Sequence, residues 1–203
     1  MIKGTFHNLP QAKKQRIISA IAEEFSHTDT NRVSINNIIK NANISRGSFY
    51  QYFDDKIDLV EVMIKYYLNQ IGDSVTEVIH LSRGDLFYTF EECFSIICQF
   101  GENPKDKNIL KRIFISIYSD HNIISEYIKK RFSGFEEIDE MISMLSRKNL
   151  KEQDDVFFKN LTGIIMAVLK SALAEYFVRE KDLEEVKKDY LQKINIIKTG
   201  AAV

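Results

Sequence analysis

Apolar residues recur every three or four positions along almost the whole chain, with polar and charged residues between them. This spacing is the repeat of an amphipathic α-helix. Only two prolines are present to interrupt it. The pattern therefore predicts an all-α protein of about nine helices, in which turn residues separate the periodic segments.

The clearest feature is a pair of short helices predicted within residues 34–56. Ser34 is a favourable N-cap for the first helix. One apolar face follows at positions i, i+3, i+4 and i+7, formed by Ile35, Ile38, Ile39 and Ala42. Asn43 tolerates the left-handed backbone conformation that closes a helix. The first helix is therefore expected to end in a tight turn.

The second helix of the pair begins after Ser45, which is another favourable N-cap. Phe49 and Phe53 lie one turn apart and are expected to face the core. The opposite face and its flanks offer groups suited to base edges and phosphates: Gly47, Ser48, Tyr50 and Gln51, with Arg46 and Tyr52 on the flanks. The pair predicts a helix-turn-helix whose recognition helix runs over Ser45–Phe53.

The run SRGSFYQYF at residues 45–53, followed by Lys56, closely resembles the signature of the TetR family of bacterial repressors. The resemblance carries a specific motif over about residues 10–65, and it extends to the rest of the chain in helical layout and length. Asn43 departs from the family pattern, which usually has glycine in this turn. Asparagine can adopt the same backbone conformation, so the expected turn is unchanged.

The resemblance implies an all-α homodimer that regulates transcription, most simply as a ligand-responsive repressor. Residues 1–55 would form an N-terminal three-helix DNA-binding domain with the helix-turn-helix. Residues 56–203 would form a C-terminal helical domain for effector binding and dimerisation. The partners would be double-stranded operator DNA, a second copy of the chain and a small-molecule effector. Activation in place of repression stays open at this point.

The resemblance also implies roles for individual residues. Arg46 and Gln51 would read bases, and Gly47 would allow the DNA to approach the backbone closely. Lys56 would bind a phosphate at the start of the next helix, where backbone N–H groups also favour an anion. Ser48, Tyr50 and Tyr52 would touch phosphate or base. The full set of residues expected to contact DNA is Ser34, Ser45, Arg46, Gly47, Ser48, Tyr50, Gln51, Tyr52 and Lys56.

The charge distribution agrees with a DNA-reading N-terminal part. Residues 1–53 contain seven Lys or Arg and three Asp or Glu, a net charge of +4. The whole chain has a formal net charge of −1, so the remainder carries −5. A basic end attached to a slightly acidic body is typical of a nucleic-acid-binding module joined to another domain.

Two segments flank the helix-turn-helix. Residues 1–9 offer little to hold them in place, and we expect a disordered arm whose Lys3 could reach a minor groove. A bracing helix is predicted from Pro10 to Phe25 with its basic residues outward. After the motif, a long helix is predicted from Lys56 to about Leu81. Such a helix could act as a lever or simply as a connection.

The C-terminal part contains an aromatic region and a long apolar helix. Residues 85–127 are rich in phenylalanine with a few polar side chains between, which suits either plain core packing or a mostly apolar effector pocket. Asp154–Arg179 is predicted as a helix with a stripe of small residues: Gly163, Ala167, Ser171 and Ala174. Small residues allow close approach of a second helix, although the periodicity also suits a central helix covered entirely by its own chain. The resemblance implies that this helix and Asp182–Ile197 form a four-helix bundle with the mate.

The sequence contains few features of other functional classes. There is no glycine-rich phosphate loop, no His-Glu-x-x-His pair and no nucleophile elbow, and the four histidines are scattered. We therefore expect no catalytic residues, no metal site and no cofactor. Lys170 and Glu175 interrupt the longest apolar stretch, so a cytoplasmic protein without a membrane span is expected. A helical protein-binding adapter without specific DNA binding is the alternative to a regulator.

Overall fold

The computed structural model describes residues 2–28, 32–118 and 136–203. These ranges contain ten α-helices: α1 (Gly4–His7), α2 (Gln11–His27), α3 (Ile35–Ala42), α4 (Arg46–Tyr52), α5 (Lys56–Leu81), α6 (Leu86–Gln99), α7 (Pro104–Tyr118), α8 (Glu136–Ser143), α9 (Asp155–Phe177) and α10 (Leu183–Ala201). A 3₁₀ turn at Phe100–Glu102 follows α6. Strand-like pairing in the same ranges amounts to one isolated bridge between Leu150 and Ala202. The predicted all-α fold is confirmed.

The chain forms two compact units. Of the described residues, one unit contains 2–69 and 103–118, and the other contains 70–102 and 136–203. Helix α5 therefore contributes its first half to one unit and its second half to the other. The predicted domain boundary between residues 55 and 56 stays a prediction.

The first unit is built around the apolar face of α2. Ile17, Ile21 and Phe25 are almost completely buried there, and α2 packs against α3 and α7. Burying each such side chain contributes about 1.5–3 kcal/mol relative to leaving it in water. From α5, the Tyr67 hydroxyl donates a hydrogen bond of 2.5 Å to the Asp106 carboxylate at the start of α7. Burial, reinforced by this bond, raises the pKa of Tyr67.

The N-terminal arm is folded, so the prediction of a disordered segment is wrong. Residues 4–7 form α1, and the side chains of Ile2 and Phe6 are buried. Ile2 lies just before the extended N-cap Lys3, and Phe6 is the third residue of the helix. The Phe6 ring lies 5.0 Å from that of Phe53. Buried apolar contact is what fixes the arm.

The second unit packs α6 against α9 and α10. The Phe94 ring stacks on the Tyr190 ring with centroids 4.7 Å apart, and the Tyr190 hydroxyl donates to the Phe90 carbonyl at 2.8 Å. Burial raises the pKa of Tyr190. Four apolar residues for which core packing and an effector pocket were both open are buried here: Leu86, Phe87, Phe90 and Phe94. Tyr127, at the end of the same aromatic region of the sequence, lies outside the described residues.

The turn after α5 is locked to the turn after α8. Gly84 has a φ of +78°, and its N–H donates to the Ile79 carbonyl at 2.8 Å. The Ser146 N–H donates to the Gly84 carbonyl at 2.7 Å. A Cβ at position 84 would lie 2.8 Å from the Met144 carbonyl oxygen, which is too close. The predicted end of the long helix at about Leu81 is confirmed, and position 84 suits only glycine.

Helix α9 is long and apolar enough to cross a membrane, judged by length and composition, and it alone passes this test among the described residues. Its most apolar stretch is 39% buried within the protein. The buried side includes Leu161, Ile165 and Leu169. The other side carries the stripe of small residues, in which Gly163, Ala167 and Ser171 are exposed.

Candidate nucleic-acid interface

Helices α3 and α4 form the helix-turn-helix that the sequence predicts. The Ser34 hydroxyl accepts a hydrogen bond from the Asn37 N–H at 3.3 Å and so caps α3. Asn43 lies in the left-handed region, with φ 47° and ψ 57°. The Ser45 hydroxyl accepts from the Ser48 N–H at 3.0 Å and caps α4. Both predicted caps and the predicted turn are present.

The inner face of α4 is anchored by aromatic packing. Phe49 and Phe53 are fully buried, and their rings lie 5.2 Å apart. Neither side chain can rotate outward without opening a cavity in the unit. The orientation of the opposite face is therefore fixed by the core.

The outer face of α4 carries most of the side chains predicted there. Arg46, Gly47 and Gln51 are exposed, Tyr50 is 41% exposed and Ser48 is half-buried. A Cβ built at Gly47 meets only the Ser45 hydroxyl, at 3.8 Å, so the described structure leaves open space above this backbone. This surface can accept another molecule against the main chain.

Tyr52 is the exception, and its predicted position on the outward flank is wrong. It is 5% exposed, and its ring lies 6.2 Å from that of Phe6. Tyr52 is three positions beyond Phe49, which turns it about 60° from the core-facing direction. The folded arm covers that direction, and the Lys13 ammonium lies 5.6 Å from the ring centre.

Arg46 is held at the start of α4 by its neighbours. Its Nη1 donates to the Asn36 side-chain carbonyl at 3.1 Å, and the guanidinium carbon lies 5.7 Å from the centre of the Tyr50 ring. An arginine held in this way presents its remaining donors with less loss of side-chain freedom on binding.

Two residues of α2 fix both ends of α3. The buried Glu24 carboxylate accepts hydrogen bonds from the Ser34 backbone N–H at 2.9 Å and from the side-chain Nδ2 of Asn37 at 3.1 Å. Arg16 Nε donates to the Ala42 carbonyl at 2.8 Å. An acid at the N-terminus of a helix and a base at its C-terminus also suit the helix dipole. Spacing in the sequence predicts an outward Arg16 and indicates neither contact.

The start of α5 is only partly available to an anion. The Asp55 carboxylate accepts from the N–H groups of Ile57 and Asp58, at 2.8 and 3.2 Å, and so caps the helix. The expected contribution of free backbone N–H groups to phosphate binding is therefore reduced. Lys56, half-buried at the first position of α5, brings a positive charge to the same place.

No group of three or more His, Cys, Asp or Glu side chains that could hold a metal ion is found in the described ranges. What the described arrangement offers is hydrogen-bond donors and acceptors on an exposed short helix beside basic residues. These are the groups with which proteins contact DNA.

Comparisons with protein families cover most of the chain. Residues 17–63 match the model described as "Bacterial regulatory proteins, tetR family". Residues 85–201 match the model described as "Tetracyclin repressor-like, C-terminal domain". A search of curated protein sequences found no match.

Several solved structures share the fold. A putative TetR-family regulator from Syntrophomonas wolfei has a TM-score of 0.67 at 21% identity, covering 93% of this chain and 96% of that one. Thermus thermophilus FadR, solved with lauroyl-CoA, has a TM-score of 0.63 at 16% identity, covering 89% of this chain and 92% of that one. SmeT, the repressor of the Stenotrophomonas maltophilia multidrug efflux pump SmeDEF, has a TM-score of 0.59 at 13% identity, covering 98% of this chain and 93% of that one.

Proposed function

The chain belongs to the TetR family of bacterial transcriptional regulators, and we propose that it represses transcription by binding a pseudo-palindromic operator as a homodimer. Membership makes it a DNA-binding transcription factor and not an enzyme. The observation that carries the proposal is the exposed face of α4, held in place by the buried Phe49 and Phe53.

Each subunit would place α4 in a major groove. Arg46 and Gln51 would contact base edges, and the open space above Gly47 would let the DNA approach the backbone. Ser48 and Tyr50 would contact phosphate or base, and Lys56 would bind a phosphate at the start of α5. In a dimer the two recognition helices would read grooves on one face of the duplex, one helical turn of about 34–36 Å apart or a multiple of it.

The dimer would form through α9 and α10. The exposed side of α9 combines the small-residue stripe with large apolar side chains: Val156 is 70% exposed and Ile164 is 54% exposed. Apart from the local backbone of α9, no described atom lies within 4 Å of a Cβ built at Gly163. On α10, Ile196 is 71% exposed. A second copy would cover these groups, and small residues would let the helices approach closely.

A small, mostly apolar effector would bind in the C-terminal part and release the DNA. Support comes from the aromatic composition of α6 and from FadR, whose structure holds lauroyl-CoA. Helix α5 contributes to both compact units, so an effector that shifts it would alter the position of the recognition helix. The proposed setting is the cytoplasm, without a cofactor and without a membrane. The apolar α9 would serve the dimer.

Arg46→Ala is expected to weaken binding to the operator and to relax the preference at one base pair in each half-site. The expected loss is about 1–3 kcal/mol per bidentate contact. The measurement is affinity for a duplex selected by the wild-type protein and for single-base variants of it. Lys148→Ala removes one charge from an exposed position of the second unit and should bind as the wild type does. Equal losses on selected and random DNA would assign Arg46 to phosphate.

Effector binding and DNA binding are expected to oppose each other by the same factor. Linkage requires that an effector which weakens operator binding is itself weakened by the operator, with a typical coupling of about 1–3 kcal/mol. The measurement is calorimetric titration of the effector into the free dimer and into the operator complex. Equal affinities in the two titrations would show that the ligand does not drive release.

A further inference from the structure

The last turn of α4 is capped by the N-terminal arm. A helix leaves its final carbonyl groups without partners inside the helix. Here the Lys3 ammonium donates to the Tyr50 carbonyl at 2.7 Å, and the Lys3 N–H donates to the Tyr52 carbonyl at 3.0 Å. The Thr5 hydroxyl donates to the Gln51 carbonyl. Three successive carbonyls at the end of the recognition helix therefore bond to two residues of the arm.

The arm is itself fixed to the same unit. The buried side chains of Ile2 and Phe6 flank the two donor residues in the sequence. The Lys3 ammonium also forms an ion pair of 2.6 Å with Asp54, just beyond the helix. This hydrogen bond lowers the pKa of the Asp54 carboxyl group. Lys3 thus joins the helix end to the segment that leads into α5.

The recognition helix has particular need of such a cap. It contains seven residues, which is about two turns, and a helix that short is not stable alone in water. Its start is capped by Ser45 and its inner face is held by Phe49 and Phe53. Its end, where the exposed Tyr50 and Gln51 lie, is capped by the arm.

We propose that residues 2–6 hold the end of the recognition helix in the conformation that reads DNA, with Lys3 and Thr5 as positioning residues. This rests on the proposed function, since it concerns operator reading. Lys3 acts through its bonds to Tyr50, Tyr52 and Asp54 and not as a contact to the minor groove. Thr5 acts in the same way without carrying any charge.

Three variants of the full-length protein separate positioning from direct contact. Thr5→Val removes only a hydroxyl group, and Lys3→Met removes the ammonium group but keeps the apolar stem. Lys56→Met is the comparison for a lysine proposed to bind phosphate. Affinities are measured for a duplex selected by the wild-type protein and for a random duplex, over a series of salt concentrations. Backbone hydrogen exchange is measured on the same variants without DNA.

Thr5→Val loses one hydrogen bond, and Lys3→Met loses one hydrogen bond and the ion pair with Asp54. Binding to the selected duplex is expected to weaken by about threefold to tenfold in each arm variant, with less effect on random DNA. The salt dependence should be unchanged in Thr5→Val and Lys3→Met. In Lys56→Met the slope of log K against log salt should be shallower by about 0.9 for each subunit, or about 1.8 for the bound dimer. The Phe53 amide should exchange faster in both arm variants, while the Ile21 amide in α2 keeps its wild-type rate.

Three results would overturn the proposal. A shallower salt slope in Lys3→Met, with Thr5→Val like the wild type, would make Lys3 a phosphate contact. Faster exchange throughout the unit would make the arm an ordinary contributor to stability. Wild-type binding and exchange in both variants would show that the cap has no effect. If the wild-type protein selects no sequence, the proposed function fails, and hydrogen exchange alone decides the role of the arm.

Discussion

Ala167→Glu is expected to yield monomers and to abolish specific DNA binding. Ala167 lies on the exposed stripe of α9 between Gly163 and Ser171, where the proposed bundle would bring two helices together. The change would place a carboxylate from each subunit in that contact, without a partner. An uncompensated buried charge typically costs about 3–5 kcal/mol, and two copies meet near a two-fold axis. In the proposed complex each half-site would be read by one subunit, so losing the dimer would also lose the paired contacts on DNA.

The oligomeric state of this variant is measured by light scattering or sedimentation over a range of concentrations. Ala12→Glu makes the identical substitution at an exposed position in the first turn of α2, and it should remain dimeric. The change at Ala167 should leave the fold of the monomer intact, because its side chain faces outward from the described core. A stable Ala167→Glu dimer that still binds DNA would place the interface elsewhere.

Phe49→Ala is expected to lower the free energy of unfolding by about 3–5 kcal/mol, as large-to-small changes of buried aromatic residues do. Phe49 is fully buried and packs against Phe53. Its removal leaves a cavity directly under the recognition helix. The measurement is urea unfolding followed by circular dichroism, with affinity for the selected duplex measured in parallel.

Tyr50→Ala is the matched comparison, because Tyr50 is the next residue on the same helix but is 41% exposed. Surface changes of this kind usually alter stability by less than about 0.5 kcal/mol. Tyr50→Ala should therefore weaken DNA binding while the unfolding midpoint stays close to that of the wild type. Similar stability losses in the two variants would contradict the assigned inner and outer faces of α4.

The helix-turn-helix could be predicted in detail because its determinants are local. A cap such as Ser45 acts on an amide three residues away, and the left-handed Asn43 closes a helix next to it. Spacing in the sequence is sufficient for these. Tyr52 was misplaced because its surroundings depend on a contact with Phe6, which is 46 positions away. The order of the arm likewise depends on contacts of Phe6 with Tyr52 and Phe53, which lie far along the chain.

The C-terminal part illustrates the other limit. Periodicity identifies which residues of α6 face inward, but a filled core and a ligand cavity need the same apolar side chains. Only packing distinguishes them, and for Phe94 it is a stacked contact with Tyr190. The stripe on α9 was recognisable because small residues at helical spacing are unusual on an otherwise apolar helix. The structure adds that the stripe is exposed, because no described residue of the same chain covers it.

The hydrogen-bonded turn at Gly84 limits which substitutions this protein tolerates. In a library of single substitutions, glycine at positions 4, 163 or 200 would give way to alanine without meeting a neighbour among the described atoms. At position 84 every other residue would have to adopt a φ of +78° and displace the Met144 carbonyl. Position 84 is therefore closed to variation, whereas the other three glycines are open to it.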